Sequence, residues 1–177
     1  MENTVSIDST RYLTLTLGEA LFAITIHSVR EILDYTDITR IPQSSECMKG
    51  VVNVRGTAVP VIDLGLKCAL QPVVRTPNTR IVIVELLREG RIVMAGLLCD
   101  SVREVLEIDP ARVAPPPVSG GDLLRGIAGV GEHFVLMLDV DKLFTGEEML
   151  AAQDDAGEGN EGKEVTAQDG ADQPHAA

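Results

Sequence analysis

From Arg11 to Phe144 the chain is written in short apolar runs separated by turn signals, the pattern of an all-β protein. Residues 12–17 alternate Leu13, Leu15 and Leu17 with Tyr12, Thr14 and Thr16, which predicts a strand with leucines on a buried face and polar groups outside. Gly18-Glu19 then turns the chain into a second strand over residues 20–26. Residues 50–54 and 57–62 flank Arg55-Gly56 and predict a tight hairpin, because Gly56 tolerates the positive φ that such a turn demands. Pro60 has no amide donor, so its strand is expected at an edge or at a bulge. A brief helical turn through Lys67 follows Asp63, and residues 72–78, with two prolines and no apolar period, read as a linker.

The scheme then repeats. Strands are expected over residues 80–87 and 91–98 around a turn at Glu89-Gly90, with a later hairpin at Gly131-Glu132. Ser28-Val29-Arg30-Glu31-Ile32-Leu33 recurs as Ser101-Val102-Arg103-Glu104-Val105-Leu106, five of the six residues being identical. Residues 50–64 align without gaps on residues 126–140, matching Gly50 to Gly126, Val59 to Val135 and Asp63 to Asp139. A period of about 75 residues is too long for a solenoid and suits a duplicated mini-barrel. A barrel of roughly 60 residues buries little surface alone, so two such halves are expected to pack together.

Composition sharpens this. Apolar residues make up 45% of the 177 positions but aromatics only 3%, with no Trp, so the core must be aliphatic and strand-favouring. The net charge of -12 is concentrated after Gly146, where nine acids face only Lys163. Residues 151–177, rich in Ala, Gly, Glu, Asp and Gln without hydrophobic periodicity, are expected to form a disordered acidic tail. The body has no Lys/Arg cluster, which argues against nucleic acid as a partner. Residues 1–10 lack an apolar signal core, and the apolar runs fall far short of the ~20 residues of a membrane helix. A cytoplasmic protein without membrane insertion is therefore expected.

Chemistry is sparse. His27 and His133 sit in no catalytic motif, and Cys47, Cys68 and Cys99 are spaced as small buried hydrophobes rather than a disulfide or metal set. Asp139 and Asp141 could be imagined around a cation, but the match of Asp139 to Asp63 favours equivalent strand-end caps. Gly126, Gly129 and Gly131 fall inside a hairpin pattern and form no dinucleotide fingerprint. No catalytic residue, metal or cofactor is expected, and an enzymatic or small-molecule-binding barrel is the minor reading.

Residues 50–64, Gly-Val-Val-Asn-Val-Arg-Gly-Thr-Ala-Val-Pro-Val-Ile-Asp-Leu, resemble the signature of the CheW coupling proteins of bacterial chemotaxis. The resemblance extends through Phe22-Ala23-Ile24, Val29-Arg30-Glu31-Ile32, Ile41-Pro42, residues 96–100 and Leu136-Met137-Leu138-Asp139. It implies two pseudo-symmetric five-stranded SH3-like β-barrels over residues 11–146, with approximate subdomains 11–71 and 79–146 whose elements can be exchanged. It also implies a scaffold that couples the cytoplasmic tip of a chemoreceptor to the regulatory domain of the histidine kinase CheA, recruited to membrane receptor arrays through those partners. Carried over residue by residue, Val29 and Glu31 correspond to a receptor-facing pair; Val29 and its repeat Val102 are the candidates for lining a groove between the barrels that accepts a receptor helix. Gly50, Asn53, Arg55 and Gly56 correspond to a coupling turn. Alternatives stay open: Val29 as core, Glu31 in a structural salt bridge, Arg55 as a solvated hairpin residue, and an output in pili, development or gene expression. Gly65, Cys99 and the acidic tail depart from the family pattern.

Overall fold

Strands from the two sequence repeats are shared between two sheets. The computed structural model describes residues 10–116 and 122–149, so the expected tail at 151–177 lies outside the described residues. Eleven strands occur among them: β1 (Arg11–Leu17), β2 (Ala20–Thr25), β3 (Val29–Asp34), β4 (Met48–Val54), β5 (Thr57–Asp63), β6 (Arg80–Arg88), β7 (Arg91–Cys99), β8 (Ser101–Glu107), β9 (Val113–Ala114), β10 (Leu124–Val130) and β11 (His133–Leu138). Helix α1 (Leu64–Lys67) and a final helical turn at residues 146–149 complete the set with three short 3-10 turns.

One sheet runs β8-β1-β2-β11-β10-β9 and the other β3-β6-β7-β5-β4. The first hairpin of each repeat therefore joins the later strands of the other, through the parallel pairs β2–β11 and β5–β7. Five strands were expected in each barrel. The sixth here is the two-residue β9 on β10, and its counterpart in the other sheet is the single bridge of Thr39 to Val51.

Three cores result. Val52, Val54, Val59, Val61, Ile81, Ile83 and Leu98 fill the inside of the β3–β7 sheet, while Ala23, Ile108, Ala128, Val135 and Met137 fill the other. The largest cluster lies between the sheets and takes the opposite faces of the same strands, including Leu13, Leu15, Phe22, Ile24, Val82, Val84 and Leu97. Residues 81–84 of β6 and 95–99 of β7 are thus buried on both faces, which explains why no polar side chain alternates within them.

Two expectations need correction. Thr14 is not outside but 1% exposed, because β1 lies between β8 and β2 and its other face closes the inside of a barrel. Its hydroxyl is satisfied there by the backbone of Glu104. Pro60 sits in an interior strand, not at an edge. Both backbone groups of the facing Val51 bond to Thr39, so Val51–Pro60 is a non-hydrogen-bonded pair and the proline nitrogen points towards β7. The β5–β7 register begins only at Val61, so no donor is missed; the bulge lies in the facing strand, between Met48 and Gly50.

The 72–78 segment is irregular as expected but tied down. Asp63 Oδ2 accepts from the amide of Val73 at 3.0 Å, and the Arg75 guanidinium lies 4.4 Å from the centre of the Tyr35 ring. Asp63 Oδ1 caps α1 by accepting from the Leu66 amide, and Asp139 caps the 3-10 turn after β11 in the same way, as their alignment predicted.

Candidate functional site

Asn53, Arg55 and Gly56 meet at the β4–β5 turn. Arg55 and Gly56 have φ of 50° and 84°, the two left-handed residues of a type I′ turn, and Asn53 Oδ1 accepts from the Gly56 amide at 2.7 Å. Gly56 is suited to this geometry, but an arginine in left-handed backbone costs about 1 kcal/mol. Arg55 Nη2 donates to Glu31 Oε2 at 3.2 Å. The guanidinium side chain is 74% exposed and the carboxylate 21%, so water screens the pair and its worth is at most about 1 kcal/mol. Glu31 Oε1 is buried without a hydrogen-bond partner among the described residues. β3 and β4 are the two ends of their sheet, so this contact spans the place where the rolled sheet meets itself.

Gly50 belongs elsewhere. It lies at the far end of β4, at the bulge, with φ of 140°. A Cβ there would fall 1.9 Å from the Thr39 carbonyl oxygen. Its counterpart Gly126 sits at the matching bulge of β10, where a Cβ would fall 2.4 Å from Val113 and 2.7 Å from the Ala114 carbonyl. Both glycines let a crossing segment press onto the sheet, which is a structural duty and sets Gly50 apart from the turn.

Val29 and Val102 occupy equivalent positions on the edge strands β3 and β8, opposite Val84 and Leu15. Both are partly buried against the core between the sheets. Their strand neighbours Ile32 and Val105, opposite Val82 and Leu13, leave 42% and 40% of their surface exposed. The four form matching apolar edges beside the inter-sheet core. Ile32 and Val105 were missed in the sequence although they stand at the same place in the repeated hexapeptide, the signal that could have found them. Arg30 on β3 is ion-paired with Glu85.

Nothing assembles into a reaction centre among the described residues. No group of three metal-ligating side chains is present, and His27 and His133 are exposed on separate elements. Cys99 is buried, whereas Cys47 and Cys68 are only half-buried, so the expectation of three core thiols holds for one. Desolvation pushes the Cys68 thiol up to about 11 and that of Cys99 up to about 12, the opposite of an activated nucleophile. No helix among the described residues is long and apolar enough to cross a membrane.

Known proteins carry the same arrangement. The family model of the CheW-like domain matches residues 11–148. A chemotaxis protein CheW of Klebsiella aerogenes is 35% identical over 142 residues, which span 78% of this chain and 83% of that protein. A probable chemotaxis protein CheW of Rhizobium etli is 31% identical over 140 residues, spanning 77% and 88% of the two chains. Among solved structures, the scaffolding protein TtCheW of Thermoanaerobacter tengcongensis superposes with a TM-score of 0.71 at 33% identity, covering 80% of this chain and 98% of that one. The exchanged double barrel, the duplicated edge strands and the signature turn thus have one source: this chain belongs to the CheW family.

Proposed function

We propose that the protein is a non-catalytic adaptor of chemotaxis signalling that couples chemoreceptor cytoplasmic tips to the histidine kinase CheA. The observation that carries this reading is the Arg55–Glu31 contact. It places an arginine in an unfavourable backbone conformation, gains little stability from the exposed pair, and ties the signature turn to the strand bearing Val29 and Ile32. A guanidinium that is 74% exposed and gains little from its own ion pair is free to meet a partner.

The apolar edges of β3 and β8 suit a helix-in-groove partner, with Val29, Ile32, Val102 and Val105 as the lining and a receptor helix as the occupant. Asn53, Arg55 and Gly56 then form the coupling surface at the opposite end of the same sheet, and Gly50 supports the strand that carries it. On this reading recruitment to receptor arrays is through protein partners.

The test mixes the purified protein with receptor cytoplasmic fragments and the kinase and measures autophosphorylation. Folded protein is expected to bind both partners and raise kinase activity. Folded protein that does neither defeats the coupling role.

A further inference from the structure

We propose that the open end of the barrel containing β1 and β8 is a second docking site, which takes a β-turn of a partner protein presenting an arginine to Glu104. The two copies of the repeated Arg-Glu pair differ in their charge partners. In the first copy both charges are ion-paired within the chain, Arg30 with Glu85 and Glu31 with Arg55. The second copy carries the same pair, Arg103-Glu104, at a matching bulge.

The registers show what is missing there. Leu15 faces Val102 as Val84 faces Val29, so Thr16 stands where Glu85 stands in the first copy. Thr16 is engaged with the Ser101 hydroxyl at 2.6 Å. Gly131 occupies the place of Arg55 in the aligned hairpin. Neither replacement brings a charge, and Arg103 and Glu104 make no ion pair among the described residues.

Glu104 is nevertheless held in place. The Thr14 hydroxyl donates to its carbonyl at 2.6 Å and accepts from its amide at 3.2 Å, fixing the backbone beneath an exposed carboxylate. The residue borders a cleft of about 590 Å³ lined also by Thr14, Thr16, Leu21, His133 and Phe134. Phe134 is 72% exposed, where the aligned residue of the first copy is the half-buried Ala58. An open aromatic and a carboxylate without an ion pair among the described residues line the same cleft, a composition suited to an interface anchor.

Charge selects the occupant. Glu19 and Glu104 line the cleft against Arg103 alone, so a cationic turn is favoured over an acidic one. The first copy supplies the template, an arginine on a two-residue hairpin turn reaching the same glutamate. This site is separate from the apolar edges described above. Val102 and Val105 face the inter-sheet core, whereas Glu104 shares the face of Leu106, which packs on the core inside the barrel.

The probe is a cyclised peptide of residues 52–59, which presents Arg55 on its own turn, titrated into isotope-labelled full-length protein and followed by amide chemical shifts. Saturable shifts are expected at Thr14, Leu21, Glu104 and Phe134, with Ile32 unmoved. Glu104→Gln, an exposed change that leaves the fold intact, is expected to weaken binding about fivefold or more, as is arginine-to-alanine in the peptide. Gly131→Arg, which restores the intramolecular arginine, is expected to block the peptide. The proposal is overturned if the cleft residues show no saturable shift, or if Glu104→Gln binds as well as the wild type. Neither result touches the coupling reading, since the assay contains no receptor and no kinase.

Discussion

Arg55 reaches from the β4–β5 turn to Glu31 on β3, its Nη2 3.2 Å from the carboxylate, and so joins the two ends of one rolled sheet. Because the arginine is largely in water, the contact orients the two side chains more than it holds the barrel together. Arg55→Ala is expected to change unfolding free energy by no more than about 0.5 kcal/mol while lowering kinase activation. A double-mutant cycle with Glu31→Gln, read in kinase activation, is expected to be non-additive; additive losses would mean that the two residues act separately.

Gly50 sits on the opposite side of that balance. Gly50→Ala forces a Cβ into the Thr39 carbonyl at a bulge with φ of 140°, so the expected result is a loss of at least about 2 kcal/mol in chemical denaturation. Loss of coupling in this variant is then a folding defect. Unchanged stability with lost coupling would instead return Gly50 to direct partner contact.

Ile32 and Val105 are each more than a third exposed, so polar replacements there cost little in the free protein. Ile32→Asp and Val105→Asp are expected to stay within about 1 kcal/mol of wild-type stability yet weaken binding of receptor fragments at least about tenfold, as for central apolar residues of an interface. Titration calorimetry against the fragments decides this, and wild-type affinity in both variants would remove the groove from the binding surface.

A buried ion pair anchors the end of the second repeat to the first. Lys67 on α1 donates to both oxygens of Glu148, at 3.2 and 3.1 Å, and Glu148 also accepts from Ser45 and from the Thr145 amide. The two side chains are 13% and 5% exposed. Glu148→Ala strands a lysine in a site with little water, and a loss of about 3 kcal/mol is expected in urea denaturation. The double replacement Lys67→Met with Glu148→Leu is expected to recover much of it, since a well-packed apolar pair carries no desolvation cost.

The buried thiol of Cys99 gives a pH signature. Its pKa is raised by desolvation to about 12 in the folded chain, against an ordinary 9.0, so the unfolded state loses the proton first as pH rises. Stability from this group is complete below about pH 9 and falls between about pH 9 and 12. Cys99→Val is expected to flatten the decline of the thermal midpoint over the lower part of that window; an identical slope would show that other groups control it.

Much of this protein was written in local sequence. Alternating leucines, the Arg55-Gly56 turn, the Asp63 and Asp139 caps and the repeated hexapeptide are signals carried by a few neighbouring residues, and the strands and caps formed where those signals stood. Tertiary structure decided what no local pattern encodes. Thr14 became buried because a strand of the other repeat closed over it, and Pro60 was admitted to a sheet interior because Thr39 took the hydrogen bonds of its partner. The Arg55–Glu31 contact links residues 24 positions apart and Lys67–Glu148 links residues 81 apart. Hexapeptides alike at five of six positions thus acquired different neighbours, with Glu31 meeting an arginine and Glu104 meeting none among the described residues, because charge pairing depends on distances that only the exchanged strands of the folded chain set.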